Sequence, residues 1–189
     1  MNIISLKHKP HYINQTQLFL MKMIKEEYGY GYVEKYHKDI KNLKKTYLTP
    51  KNNFYIILNE TNKIIGSIGI RGYDKDFKEF KDIYTKEHTA SIWRMFINKK
   101  YRRRGLGSKL VKIVENFSKE ENYNEIYLHT HRTVKGALSF WKSLDYEITI
   151  NTYNTMKTVH MEKKIIKILD LEKNYKEIDN ENNLIKTIL

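Results

Sequence analysis

Residues 98–117, NKKYRRRGLGSKLVKIVENF, set three of the chain's six arginines side by side and follow them with two of its eight glycines two positions apart. Arginine forks onto phosphate oxygens with charge-assisted hydrogen bonds. Glycine lacks the Cβ that would hold an anion away from the backbone. The first turn of a helix leaves peptide N–H groups without intrahelical partners, and the macrodipole adds partial positive charge there. Arg102, Arg103, Arg104, Gly105, Leu106, Gly107 and Ser108 therefore have the makings of a pyrophosphate cradle, one that suits a nucleotide-like ligand better than a long polymer. The spacing matches neither a Walker A ending nor Gly-x-Gly-x-x-Gly. A basic turn whose glycine eases helix entry has the same local sequence, so the rest of the chain must decide.

Further titratable residues cluster near strand-like runs. Glu87 and His88 precede one, and His129 and His131 share a face of EIYLHTH (125–131). Histidine titrates in the range a general base needs. His129-x-His131 with Glu87 lacks a third ligand at metal spacing, so no metal is expected. Tyr28, Tyr30 and Tyr32, with Glu26 and Glu27, could line an acceptor pocket, since carboxylates and tyrosine faces suit a cationic amine. A tyrosine-rich loop packed on a sheet has the same pattern.

These residues need elements to position them. NIISLKH (2–8) reads as a strand. From His11 to Tyr28 the residues Ile13, Leu18, Leu20, Met21 and Ile24 recur at roughly helical spacing, and a second helix spans 33–47, stopping before Pro50. Residues 54–60 and 63–73 read as a hairpin, and TASIWRMFIN (89–98) as a further strand. In the helix after it Leu106, Leu110, Val111, Val114 and Phe117 form one apolar stripe, with Lys109, Lys112, Glu115 and Lys119 outward. A strand over 125–131, a helix over 133–146 and strands near 147–153 and 156–165 complete the order. The expected fold is mixed α/β, and its central β-α-β unit (89–131) is a parallel, right-handed crossover.

Composition sets outer bounds. At 189 residues the chain has room for one domain with a hydrophobic core. It has no cysteine, which excludes disulfides, thiolate metal sites and a cysteine nucleophile. There is no apolar membrane span and no signal-peptide pattern at the N-terminus, so the sequence reads as a soluble cytoplasmic protein. Of the net charge of +13, most comes from 29 lysines, a composition that an AT-rich genome also yields. The domain is assigned to 1–166 and the C-terminal tail to 167–189, where Ile185, Ile188 and Leu189 could form a docking helix.

The residues quoted so far resemble the GNAT superfamily of acetyl-CoA-dependent N-acetyltransferases. The resemblance rests on Arg94-Met95-Phe96-Ile97, four linking residues and Arg102-Arg103-Arg104-Gly105-Leu106-Gly107-Ser108 opening a helix. It continues through EIYLHT and through ALSFWKSLDY (137–146), about 75 residues in order. The resemblance implies a mostly antiparallel central sheet with a parallel splayed strand pair, flanked by about four helices. It implies acetyl-CoA as co-substrate, with no metal. Met95, Phe96 and Ile97 would pair with the pantetheine arm, and the Ile97 N–H would polarise the thioester carbonyl. Residues 102–108 would hold the pyrophosphate, and Ala137, Phe140 and Trp141 would flank the thiol end.

The chain departs from the family at Ser91, where many relatives carry a glutamate base, and at Trp141, where many carry a tyrosine beside the leaving thiolate. Asp145 replaces a glycine. Candidate bases are then Glu87 and His131. The expected function is acetyl transfer to a primary amine of a small molecule or peptide, by direct attack in a ternary complex. The alternatives are a catalytically weak acyl-CoA sensor, favoured by Ser91 and Trp141, and a basic nucleic-acid-binding module. The last is disfavoured because the aromatic residues sit inside strand and helix runs. No membrane partner is expected, and a homodimer is the assembly considered.

Overall fold

A computed structural model describes residues 1–75, 77–80 and 83–165. The β-branched runs and 3.6-residue stripes sort into β1 (Asn2–Ser5), α1 (Ile13–Tyr28), α2 (Glu34–Lys41), α3 (Leu43–Tyr47), β2 (Asn53–Leu58), β3 (Ile64–Gly72), β4 (Thr89–Ile97), α4 (Leu106–Glu120), β5 (Glu125–His131), α5 (Ala137–Lys142), β6 (Glu147–Asn151) and β7 (Thr158–Lys164). One seven-stranded sheet runs β1-β2-β3-β4-β5-β7-β6. Every neighbouring pair is antiparallel except β4 and β5. The mixed, mostly antiparallel sheet with one parallel pair is as expected. The tail from Lys167, for which a docking helix or a frayed terminus was considered, lies outside the described residues.

Each face of the sheet buries its own core. Leu106, Leu110, Val111, Val114 and Phe117 of α4 pack on Ile70, Ile92, Ile126 and Leu128. Phe19, Leu20, Met23 and Ile24 of α1 join Ile40, Leu43 and Tyr47 over Phe54 and Ile56 on the other side. The α4 stripe is as expected except for Glu115, which is buried and accepts a hydrogen bond from Lys163 Nζ at 2.9 Å. The α1 stripe turns by one position: Leu18 is 73% exposed, and Phe19 and Met23 face inward instead. The expected second helix divides into α2 and α3 at Asn42, which leaves the helical region with φ −105° and ψ 35°. Its amide nitrogen bonds back to the Lys38 carbonyl, a side-chain competitor to the helix ladder.

A third cluster is formed by Tyr73, Phe80, Tyr84 and Tyr127, with Phe77 against it. It tucks part of the β3–β4 connection onto the α1–α3 face of the sheet beside β5. Lys75 belongs to this connection. Among the described residues no helix is long and apolar enough to cross a membrane.

Candidate functional site

The parallel ladder between β4 and β5 is short. Thr89, Ala90 and Ser91 pair with Glu125, Ile126 and Tyr127, and beyond them the strands have no pairing. The remaining length of β4, from Ile92 to Ile97, therefore presents a free edge toward the corresponding length of β5. A strand edge with unpaired N–H and C=O groups is a template for an extended ligand.

The geometry of that edge comes from an irregularity in β4. Trp93 pairs with Gly69 and Phe96 with Ser67, so Arg94 and Met95 stand opposite Ile68 alone. This is a β-bulge, and Arg94 sits in the left-handed region with φ 51°. Ser67 Oγ donates to the Arg94 carbonyl at 2.8 Å and closes it. Past the bulge, Asn98 N–H donates to the Ile65 carbonyl at 2.9 Å. Backbone groups alternate edges along a strand, so the N–H groups of Met95 and Ile97 turn toward the gap. Arg102 Nε donates to the Ile97 carbonyl at 2.9 Å, on that same open edge.

The cradle follows directly. Gly105 caps α4 with φ 70°, a conformation open to glycine, and no side chain bonds the first-turn amides. The first intrahelical bond at this end runs from Lys109 N–H to the Gly105 carbonyl, at 3.1 Å. Gly107 lies in the crease between β4 and α5: a Cβ there would sit 3.1 Å from Met95 Cε and 3.1 Å from Phe140 Cζ. Gly105 thus leaves the start of the helix open, and Gly107 permits the close approach of Met95 and Phe140. The three arginines divide. Arg103 and Arg104 are exposed, with Arg104 over the Tyr101 ring at 5.5 Å. Arg102 is committed to the Ile97 carbonyl and, through Nη2, to the Glu27 carboxylate.

On α5 the aromatic residue that faces the crease is Phe140 rather than Trp141. Trp141 is 6% exposed inside the α4-side core, with its ring 5.2 Å from that of Tyr146. Ala137 and Leu138 are half-buried. Asp145, standing where the family pattern has glycine, adopts the glycine-like φ of 63°.

The two candidate bases part company. Glu87 is exposed in the turn before β4, at the closed end of the ladder and ten residues before Ile97. At a rise of about 3.3 Å per residue it stands far from the gap. His131 ends β5, on the open side. Its Nδ1 lies 3.1 Å from Thr158 Oγ1, and its ring meets Tyr28 edge-on at 6.2 Å. Burial, then the nearby Lys75 charge, lowers its pKa below the ordinary 6.5, so it is neutral at pH 7. His129 is held neutral more strongly, by burial first and by Lys75 and His131 after it. It stands among Trp93, Phe77, Tyr127 and His160.

Of the tyrosine loop, Tyr28 reaches the end of β5, while Tyr30 and Tyr32 gather around His37. Tyr28 stacks on Tyr30 and Tyr30 on His37, whose Nδ1 accepts from the Val33 N–H at 2.8 Å. The carboxylates meant to receive a cationic amine are elsewhere. Glu27 is neutralised by Arg102 and Lys99, and Glu26 lies 3.8 Å from Lys22. In their place the acceptor side carries cations that the sequence did not disclose: Arg71, Lys75 and Arg94. Arg94 is paired fork to fork with Asp39, and Arg71 lies 3.2 Å from Asp74. No local pattern marks Lys75 or Arg71, because each acquires its setting from residues distant in sequence.

Comparisons with known proteins converge. A family model described as Acetyltransferase (GNAT) family matches residues 18–146. N-acetyltransferase 8 of Homo sapiens is 22% identical over 111 residues, covering 59% of this chain and 46% of that protein. The chain spans about half the length of the curated relatives it matches. A GNAT-family acetyltransferase from Staphylococcus aureus superposes with a TM-score of 0.69 at 21% identity, covering 87% of this chain and 99% of that one. The PaiA N-acetyltransferase of Thermoplasma acidophilum, solved with coenzyme A, gives a TM-score of 0.62 at 18% identity, covering 87% and 99%.

Proposed function

Because the chain belongs to the GNAT acetyltransferase family, we propose that it transfers the acetyl group of acetyl-CoA to a primary amine within a ternary complex. The observation that carries this reading is the free β4 edge beyond Ser91, which leads from the first-turn amides of α4 to the mouth of the gap. Arg103, Arg104 and the amides of Leu106, Gly107 and Ser108 hold the pyrophosphate. The pantetheine arm runs along Met95, Phe96 and Ile97 and passes Phe140 in the crease beside Gly107. Arg102 orients the end of β4 by holding the Ile97 carbonyl.

The amine nitrogen attacks the thioester carbonyl carbon; a C–N bond forms and the C–S bond breaks. Negative charge developing on the carbonyl oxygen is met by N–H groups of Met95 and Ile97, fixed by the bulge before reaction begins. Holding both substrates removes much of the entropic barrier to their encounter. The amine proton passes to neutral His131, whose Nε2 has no bond among the described residues. The departing thiolate is reprotonated from His131 or solvent. Lys75, Arg71 and Arg94 on this side also disfavour an ammonium ion, which raises the fraction of acceptor present as the nucleophilic neutral amine. Trp141 has only an indole N–H and supplies no acid.

Calorimetry with coenzyme A, together with thiol release from acetyl-CoA over a panel of amines, tests the proposal. Micromolar coenzyme A binding with amine-dependent thiol release is expected. Coenzyme A binding without release over the whole panel would replace the enzyme by a non-catalytic acyl-CoA-binding protein. A short oligonucleotide bound in preference to coenzyme A would remove the phosphate cradle altogether.

A further inference from the structure

Beside the gap, on the α1–α3 face of the sheet, lies a cluster of polar groups whose buried donors the acetyl-transfer reading leaves unused. Arg71 is the cross-strand partner of Ser91, and Ser91 and Trp93 share a face of β4. Arg71 Nε, Ser91 Oγ and Trp93 Nε1 are all buried without a hydrogen-bond partner among the described residues. Ser91 itself is 1% exposed. Buried polar atoms of this kind are costly to leave unmet. Lys75 Nζ stands 3.7 Å from the centroid of the Trp93 ring, and Arg71 Cζ 3.9 Å from it. Among the described residues Lys75 makes no ion pair. Among the described residues Arg71, Lys75 and Arg94 face Asp39 and Asp74 there, and burial keeps His129 and His131 neutral, so Lys75 is the cation without an acidic partner.

We propose that this cluster receives a carboxylate of the acceptor, so that the preferred substrate is a small amino acid whose amine points at the thioester. This deepens the acetyltransferase reading and rests on it. A carboxylate supplies the anionic partner that Lys75 lacks among the described residues, accepting from the ammonium where it covers the Trp93 ring at 3.7 Å. The Trp93 ring meets that of His129 edge-on at 6.3 Å, and His131 stands two residues further along β5. The anion position thus lies about 6–7 Å along the strands from the amine position, a separation that a small amino acid and a flexible lysine can span together. Lysine suits the task because its ammonium follows the ligand on a four-carbon stem. Its pKa is pulled down to about 8, by burial and then by Arg71, as befits a cation without its counter-ion.

The test uses α-, β- and γ-amino acids, each beside its own carboxamide, with acetyl-CoA and the full chain. In the native protein kcat/KM for at least one acid should exceed that of its amide about tenfold or more, the scale of a charged hydrogen bond. Lys75→Gln should bring that ratio to about one, and Lys75→Arg should keep most of it. Acids no better than amides, or a ratio indifferent to Lys75→Gln, overturn the proposal while acetyl transfer stands. Equilibrium binding of the N-acetylated acids and amides, in the presence of coenzyme A, gives a second readout that needs no turnover. Tighter binding of the acid, lost in Lys75→Gln, upholds the carboxylate site; equal binding, or none of either, overturns it.

Discussion

Arg94 reaches across the α1–α3 face to clasp Asp39, with Nε 2.9 Å from Oδ2 and Nη2 2.6 Å from Oδ1. The pair joins the β4 bulge to α2, and Tyr47 donates to the same carboxylate at 2.8 Å. Burial alone would raise the Asp39 pKa; hydrogen bonds and charge from Arg94, then Tyr47, outweigh it and leave the pKa lowered. Removing one member of a buried pair strands the other, so Asp39→Asn should cost about 3–5 kcal/mol in urea unfolding. A group with a depressed folded pKa contributes stability above its unfolded pKa and loses it as pH falls through the folded one. The native protein should therefore lose stability as pH drops below about 4, and Asp39→Asn should lack that part of the acid limb.

The two cradle glycines should fail in different ways. Gly105 has open space around a Cβ but a φ of 70°, so Gly105→Ala should cost about 1–2 kcal/mol of stability from backbone strain. Gly107 has an ordinary backbone, but its Cβ position is crowded by Met95 and Phe140. Gly107→Glu puts bulk and negative charge into the crease, and should raise the KM for acetyl-CoA about 10- to 100-fold. Steady-state kinetics beside urea unfolding separates the two; equal effects on acetyl-CoA would contradict the crease assignment.

His131 gives a prediction in pH. As the proposed base it accepts the proton in its neutral form, and burial with the Lys75 charge sets its pKa below 6.5. The limb of kcat/KM that belongs to His131 should then have its inflection below 6.5. His131→Ala should lower kcat about 10²- to 10⁴-fold, the usual weight of a general base. A full rate in that variant, or an inflection above 6.5, would return the proton transfer to water.

The arginines should separate by role. Arg103→Ala with Arg104→Ala should raise the acetyl-CoA KM with little change in stability. Arg102→Ala and Glu27→Gln should each lose stability within about 1 kcal/mol, since the pair is partly exposed. The double variant should lose less than the sum of the two singles, because they share one contact. Simple additivity would mean that Arg102 is not bound to Glu27 in solution.

What the sequence discloses is what lies close along the chain. Helix α4 and both strands of the gap were legible because the glycines and the apolar stripe are neighbours at fixed spacing. Glu87 was misjudged because nearness to a strand in sequence does not say which end of it will open. Phe140 and Trp141 were both expected at the thiol end, and only Phe140 faces the crease, because neighbouring positions of a short helix cannot both point the same way. The cationic acceptor wall was illegible for a stronger reason. Arg94 meets Asp39 across 55 residues of chain, and the orphaned atoms of Arg71, Ser91 and Trp93 have meaning only once three elements meet.

Three rungs of ladder join β4 to β5, and past them the sheet is two half-sheets, β1–β4 and β5–β7, bridged by helices. An extended substrate arm laid in that seam becomes a temporary eighth strand, knitting the halves with peptide-like hydrogen bonds of its own. Loading the protein is then also an act of completing its architecture. The amides of Met95 and Ile97 should slow their hydrogen exchange when the seam is filled, and the two halves should melt more nearly as one body.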